Sequence, residues 1–211
     1  MTTIIPVYQR DVAETWRIVS NPTYEHITLA DAYLHLRLTP YGSPLIHPED
    51  AWLTGFGIPA ARLYCEGWME RSISLQTIEF TLGRYPDAPS LGQASYVELP
   101  MGPLVSVESA VNEDGDVTEY EISSTDPAML HLTVSETARL RYVAGYSLAG
   151  SSPMLTPELP AAIKVAMLLM LGSLHEYREA IVVPKASVTP HELPLGVKAL
   201  LQPYRLRKSM A

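Results

Sequence analysis

Cysteine is nearly absent from this chain of 211 residues, which has Cys65 alone. One cysteine excludes a disulfide within the chain and any zinc cluster built on cysteines. Positive charge is also scarce, with 15 Lys+Arg against 23 Asp+Glu and a formal net charge of −8. This balance argues against a protein that binds nucleic acid across a broad basic face.

Long apolar runs are missing as well. The longest apolar stretch, at about 161–174, is interrupted by Lys164 and is too short to span a bilayer comfortably. Hydrophobic residues nevertheless make up 47% of the chain, which rules out wholesale disorder. The length fits one domain, or one domain with appendages, around a real core. We therefore expect a globular protein with no membrane partner.

The N-terminal third predicts an arm followed by two helical segments. Residues 1–27 have no long period and read as an arm. Thr28 and Asp31 have the spacing of a capping box at the start of a short amphipathic helix. A second helical pattern extends from Pro48 to about residue 70, and Pro59 within it predicts a kink or a break.

The middle of the chain predicts an antiparallel β block at about 74–146. Ile78, Phe80 and Leu82 alternate with polar residues, which is typical of a half-buried strand. The turn-forming residues 112–116 lie between two such patterns, so 104–111 and 117–122 are predicted to form a hairpin.

The last part of the chain predicts a long helix from about Pro160 to Ala180 and a short one at about 196–203. The first half of the long helix, AAIKVAMLLMLGSL, is apolar on nearly every side. A helix that is apolar all round must be buried all round. Another copy of the chain or the β block could bury it, and the pattern does not decide between them.

These patterns together predict an α+β fold. We expect a bundle of about four helices with an antiparallel β hairpin or sheet inserted between the second and third main helices. The predicted organisation is an arm at 1–27, one domain at 28–205 containing the β insertion, and a basic tail at 206–211.

Residues of the types used in catalysis occur without a motif that specifies a reaction. His175 and Glu179 share a helix face at i, i+4, but a HExxH motif would require His where Glu179 stands, and a surface hydrogen bond or ion pair is favoured. Cys65 in ARLYCEGW is interpreted as a buried structural thiol. The chain contains no GxSxG, GxxxxGK[ST] or GxGxxG. We therefore predict no catalytic residue, no cofactor and no metal site.

Acidic residues concentrate in the β block, where eight of them lie between 108 and 136 with no Lys or Arg. They are either a solvated face that prevents edge-to-edge aggregation or a surface that repels nucleic acid. The candidates for such an acidic channel or rim surface are Glu113, Asp114, Asp116, Glu119 and Glu121.

Several segments, taken in order, resemble the head–tail connector (adaptor, head-completion) proteins of long-tailed bacteriophages and gene transfer agents. They are ITLADAYLHLRL at 27–38, ARLYCEGWMERSISLQTIEFTLGRYP at 61–86, VELPMGPLVSVESA at 97–110, LRYVAGYS at 140–147, LPAAIKVAMLLMLGSLHEYREA at 159–180 and LPLGVKALLQPYR at 193–205. The resemblance covers about residues 22–205, and the order and spacing of the last two segments are its most specific part.

The resemblance implies a structural protein of the virion neck and not an enzyme. Copies are expected to form a dodecameric ring under the portal, to bind the portal protein and a stopper or tail protein, and to extend the channel through which viral DNA passes. The expected location is the head–tail interface, and the host cytoplasm during assembly. The candidate contacts with the portal or a neighbouring copy are Ile163, Met167, Met170, Leu174, Glu176, Tyr177, Arg178, Tyr204, Arg205, Arg207 and Lys208.

Two other functions remain open at this point. One is another neck or tail ring, such as a stopper or tail terminator, although the helix-rich C-terminal part disfavours it. The other is a small metal-dependent hydrolase that uses His175 and Glu179 together with Asp114 and Asp116.

Overall fold

The computed structural model describes residues 15–82, 95–112, 114–117, 119–132, 138–148, 158–177 and 195–206. The chain divides into two compact units. A helical unit comprises Pro22–Ser74 and Tyr146–Arg205, and a β unit comprises Met1–Asn21, Leu75–Gly145 and Leu206–Ala211. Each unit has a hydrophobic core of its own.

The predicted α+β class is confirmed. The helical elements are α1 (Leu29–Leu36), α2 (Asp50–Trp52), α3 (Ile58–Met69), α4 (Ala161–Glu176) and α5 (Leu195–Leu201), with a 3-10 turn at Gln202–Tyr204. The strands are β1 (Thr15–Ser20), β2 (Gln76–Leu82), β3 (Ser95–Glu98), β4 (Leu104–Asn112), β5 (Tyr120–Thr125), β6 (Ala128–Leu132) and β7 (Ala138–Ala144). All strands except β1 lie in the chain between α3 and α4, and their pairing is antiparallel.

Helix α1 begins with the predicted capping box. The N–H of Asp31 donates to the Thr28 hydroxyl at 3.1 Å, and the N–H of Thr28 donates to the Asp31 carboxylate at 2.9 Å. Two backbone donors that the helix itself cannot pair are thereby satisfied. The helix ends at Arg37, whose left-handed backbone (φ 55°) turns the chain away.

Helix α2 continues into α3 through a π-helical turn at Leu53–Gly57. The N–H of Ile58 donates to the carbonyl of Leu53, five residues back, and the backbone stays helical at both ends of the turn. Pro59 is the second residue of α3 and directly follows the π-turn, whose wider backbone accommodates the missing N–H of proline without ending the helix. Of the predicted kink or break at Pro59, the break is wrong, because the helix continues through a wider turn just before the proline.

Helix α4 lies against α1, α3 and α5. The approach to α1 is close, because a Cβ added at Gly172 would lie 3.4 Å from Nε2 of His35. Five side chains of α4 are buried in the core of the helical unit, namely Ile163, Ala166, Met167, Met170 and Leu171. Val165 on another side of α4 stays exposed. The helical unit thus buries much of this apolar helix by itself.

The β unit contains a four-stranded sheet in the order β1-β2-β7-β4 and a three-stranded sheet in the order β3-β6-β5. The predicted alternation in β2 is confirmed, since Ile78, Phe80 and Leu82 are all buried. They belong to the same buried cluster as Leu130 and Leu132 of the other sheet. The apolar sides of both sheets therefore form one core.

The predicted hairpin between 104–111 and 117–122 is wrong, because only its turn forms and the two strands pair with other partners. The turn itself is present, with the N–H of Asp116 donating to Oδ1 of Asn112 at 2.8 Å and Gly115 at φ 88°. After the single bridge between Val111 and Val117 the strands separate, because β4 pairs with β7 and β5 pairs with β6. The turn alone favours a hairpin of β4 with β5. Pairing with β7 places β4 beside the buried Leu140, Tyr142 and Ala144, and this packing decides the partner.

Candidate interaction surfaces

The candidate contact residues on α4 divide into two groups. Ile163, Met167 and Met170 lie in the core of the helical unit and are inaccessible to another molecule. Leu174 is half-buried, whereas Glu176 and Tyr177 are exposed at the C-terminal end of the helix. Of the candidate residues on α4, those at its C-terminal end are therefore the ones that can contact a partner.

A shallow apolar depression of about 180 Å³ lies at that end of α4. Its lining combines two predicted residues, Leu174 and Tyr177, with Trp52, Phe56, Gly57 and Ala60 from the α2–α3 segment. Phe56 is 69% exposed and Tyr177 is 59% exposed, although both carry large apolar rings. Exposed apolar side chains gathered around a depression are typical of an interaction surface.

The sequence reasoning missed the part of this depression that lies in the α2–α3 segment. The π-turn places Phe56 on the surface, while Gly57 leaves room for the Trp52 ring. A Cβ added at Gly57 would lie 2.6 Å from Cζ3 of Trp52 and 3.0 Å from Cδ1 of Leu171. The sequence carried a weak signal for this arrangement, because Gly55-Phe56-Gly57 interrupts an otherwise apolar helical pattern.

Tyr204 and Arg205 are anchored to the helical unit. The Tyr204 carbonyl accepts a hydrogen bond from Nε of Arg71. The Arg205 guanidinium lies 5.2 Å from the centre of a Trp68 ring, a cation–π distance, and 3.8 Å from the Glu70 carboxylate. The chain is thus fixed up to the start of the basic tail, while Arg178, Arg207 and Lys208 lie outside the described residues.

The candidate acidic residues lie around and beyond the turn after β4. Asp114, Asp116, Glu119 and Glu121 are all exposed, and Glu113 lies outside the described residues. Among the residues that the structure describes, no group of three or more His, Cys, Asp or Glu side chains could hold a metal ion. These exposed carboxylates make residues 114–121 a negatively charged segment of the β unit.

His175 of the proposed metal pair packs inside the helical unit. Its ring meets the Trp52 ring edge-on, with 5.6 Å between ring centres, and Glu179 lies outside the described residues. Cys65 is buried, as predicted, and burial raises the pKa of its thiol to about 12. Such a thiol is a poor nucleophile, because the reactive thiolate is scarce at neutral pH.

A buried ion network was missed by the sequence reasoning. Nε of Arg62 donates to both carboxylate oxygens of Glu25 at 3.0 Å, and Nη1 of Arg62 donates to Glu66 at 2.8 Å. Glu66 also accepts a hydrogen bond from the N–H of Ile73 at 2.7 Å. Burial raises the pKa of Glu66, while Arg62 and these hydrogen bonds act in the opposite direction. The network therefore holds two segments against α3: the one before α1, through Glu25, and the one after α3, through Ile73.

No helix among the described residues is long and apolar enough to cross a membrane. No family model matches the chain, and no curated protein matches it.

Solved structures of gene transfer agent (GTA) particles contain chains with the same fold. A chain from the neck of an empty GTA particle computed with C6 symmetry has a TM-score of 0.66 and 16% identity, over 93% of this chain and 97% of that one. A chain from the neck of a native GTA particle computed with C12 symmetry has a TM-score of 0.63 and 16% identity, over 93% of this chain and 97% of that one. A chain from the virion of a native GTA particle has a TM-score of 0.62 and 18% identity, over 92% of this chain and 97% of that one. The chain therefore shares its fold, over nearly its whole length, with proteins of these particles.

Proposed function

We propose that this chain is a structural protein of the virion neck that forms a ring between the portal and the tail. The observation that carries the proposal is the shared fold over 93% of this chain and 97% of a chain from a GTA neck. Those necks were computed with C6 and C12 symmetry, which supports a ring of copies, and the proposed ring has twelve.

The exposed residues supply surfaces for the proposed partners. The apolar depression that includes Leu174 and Tyr177 is the proposed contact with the portal or with a neighbouring copy. The basic tail, with Arg207 and Lys208, is a second proposed contact on the portal side. The stopper or tail protein is the expected partner at the opposite end of the ring.

The acidic segment is the proposed channel or rim surface. Asp114, Asp116, Glu119 and Glu121 are exposed, and carboxylates make no favourable contact with phosphates. A channel wall of this kind lets viral DNA pass without being held. The role is that of an assembly protein in the virion neck, after synthesis in the host cytoplasm, and requires no catalytic chemistry or cofactor.

A deletion of the gene tests this function. We expect DNA-filled heads without tails to accumulate, and the wild-type protein supplied in trans to restore tailed particles. Tailed particles at the wild-type yield in the deletion strain would contradict the proposal. Finding the protein on isolated tails, and not on tailless heads, would favour the stopper or tail-terminator alternative.

The tail role has a separate test. Truncation after Leu206 removes Arg207 and Lys208 but keeps Tyr204 and Arg205, which contact the helical unit. We expect this truncation to block the joining of tails to filled heads, and the substitution of both basic residues by Gln to weaken it. Normal numbers of tailed particles from the truncated protein would remove the tail from the proposal.

A further inference from the structure

The β unit has two polar faces on opposite sides of its core. Its two sheets turn their apolar sides toward each other, because Phe80 of one sheet and Leu130 of the other belong to the same buried cluster. Successive side chains of a strand point to opposite sides, so the residues between the buried ones point away from the core. Each sheet therefore presents one polar face, and the two faces point in opposite directions.

The polar face of the four-stranded sheet is rich in arginine, and we call it the arginine face. Glu79 of β2 lies between Arg17 of β1 and Arg141 of β7 in one row across the sheet. Arg139 lies two residues before Arg141, on the same side of β7. Even with Glu108, which lies at an irregularity of β4, arginines outnumber carboxylates on this face.

Two of these arginines share one carboxylate and keep donors for another. Nη2 of Arg17 lies 2.7 Å from the Glu79 carboxylate, and Nη2 of Arg141 lies 2.9 Å from it. The side chains of Arg17 and Arg141 nevertheless remain 73% and 44% exposed, and Arg139 is exposed as well. Each guanidinium has more N–H donors than a shared carboxylate can accept. The face can therefore bind further carboxylates.

The polar face of the three-stranded sheet carries carboxylates, and we call it the carboxylate face. Glu121 of β5 lies opposite His131 of β6, and Glu98 of β3 lies opposite Met129 of β6. These residues alternate with the buried side chains of that sheet, so they point away from the core. Glu121 is exposed and Glu98 is half-buried. Strands β3, β5 and β6 contain no Lys or Arg.

We propose that the arginine face of one copy packs against the carboxylate face of the next copy around the ring. Guanidinium groups bind carboxylates through charge-assisted, often paired hydrogen bonds. Sheets that stack face to face lie about 10 Å apart, which an arginine and a glutamate reaching toward each other can bridge. Phosphates of DNA fit the arginine face less well, because Glu79 at its centre repels them.

The geometry of this contact fits a ring. The front of one copy meets the back of the next, so the contact is heterologous and can close into a ring. Neighbours in a twelvefold ring differ by a rotation of about 30°, which stacking of opposite faces allows. This inference rests on the proposed ring function and adds the contact that joins its copies. It assigns Glu121 to that contact and leaves Asp114, Asp116 and Glu119 as the proposed channel or rim surface.

Cross-linking by a water-soluble carbodiimide tests the contact. The substitution Arg139→Lys keeps the positive charge and supplies an amine, which the carbodiimide joins to a touching carboxylate as an amide. In assembled particles, we expect mass spectrometry to find the peptide with position 139 joined to a peptide with Glu98 or Glu121. Because these positions lie on opposite faces of the β unit, such a link joins two copies.

Matched variants control this experiment. The wild type should not give the link, since arginine does not react, and Arg139→Lys with Glu98→Gln and Glu121→Gln should lose it. Arg17→Lys places an amine elsewhere on the arginine face and should also link to Glu98 or Glu121. Thermal unfolding of each purified variant shows that its fold is intact. Folded copies of both lysine variants that enter the neck but give no such link overturn the inference, as does linkage only to a different protein.

A charge reversal provides an independent measure. Glu121→Lys should lower the number of copies incorporated per particle by about threefold or more, because a positive charge then faces the arginines. The matched control is Glu158→Lys, which makes the same charge change at an exposed position of the helical unit and should leave incorporation near the wild-type level. Equal incorporation of the two variants would overturn the inference.

The outcomes distinguish this inference from the proposed function. If gene deletion abolishes tail joining but neither lysine variant gives the link, the neck function stands and the contact between the two faces is wrong. If the purified protein gives the link but tails join at the wild-type yield without the gene, the contact stands and the neck function is wrong.

Discussion

Glu66 is the residue on which the buried ion network of the helical unit depends. Its side chain is 2% exposed and binds both Arg62 and the N–H of Ile73. Glu66→Ala should lower the free energy of unfolding by about 3–5 kcal/mol, because it leaves Arg62 and a backbone donor buried without this partner. Chemical denaturation measures this loss. Glu70→Ala is the control, since the exposed pair of Glu70 with Arg205 is expected to contribute less than about 1 kcal/mol.

His26 makes the stability of the helical unit depend on pH. Burial lowers the pKa of His26 below 6.5, and the positive charges of Lys164 and Arg62 lower it further. The folded chain therefore keeps this ring neutral where the unfolded chain takes up a proton, so stability is present above pH 6.5 and is lost as the pH falls through that value.

Denaturation of the wild type and of His26→Gln at pH 7.5 and pH 5.5 tests this prediction. We expect the drop in unfolding free energy between the two pH values to be smaller in the variant, because the variant has no ring to protonate in the unfolded chain. An equal drop in both proteins would show that His26 does not cause the pH dependence.

The π-turn is the element on which the packing between α4 and the α2–α3 segment depends. Gly57→Ala should destabilise the protein by about 1–3 kcal/mol, because its Cβ would collide with Trp52 and Leu171. Gly67→Ala in α3 is the matched control, since a Cβ there has nothing within 4 Å. Alanine favours a helix over glycine, so the control should be neutral or should stabilise by up to about 1 kcal/mol. Thermal unfolding of both variants checks the contrast, and equal melting temperatures would contradict it.

Elements with strong local signals could be predicted from the sequence. The capping box of α1 depends on two residues three positions apart, and the alternation of β2 depends on one run of residues. The burial of Cys65 followed from its apolar neighbours. In each case the interactions that decide the structure lie within a few positions in the chain.

Elements decided by distant contacts could not be predicted in the same way. The pairing of β4 with β7 brings together residues about 30 positions apart, and nothing in the turn between β4 and β5 encodes it. Strand β1 lies in the predicted arm, because three residues of alternation in WRI do not predict a strand whose partner β2 lies far along the chain. Of the candidate contacts on α4, Leu174 and Tyr177 border the depression. The rest of its lining, including Phe56, depends on the π-turn, which no local sequence pattern reliably predicts.

At the scale of the whole molecule, the charges are distributed unevenly along the β unit. Arg17 lies on one edge strand, and Glu121 lies on another, in a segment that also carries Asp114, Asp116 and Glu119. A chain with a net charge of −8 gains little from binding DNA. In the proposed ring, every copy would carry this acidic segment.

A cryo-electron microscopy reconstruction of the particle neck, with this chain identified in the density, tests the central claim most directly. We predict a closed ring of copies directly beneath the portal. The exposed end of α4 should contact the portal or a neighbouring copy. A neck in which this chain is absent, or in which its copies form no ring, would contradict the account.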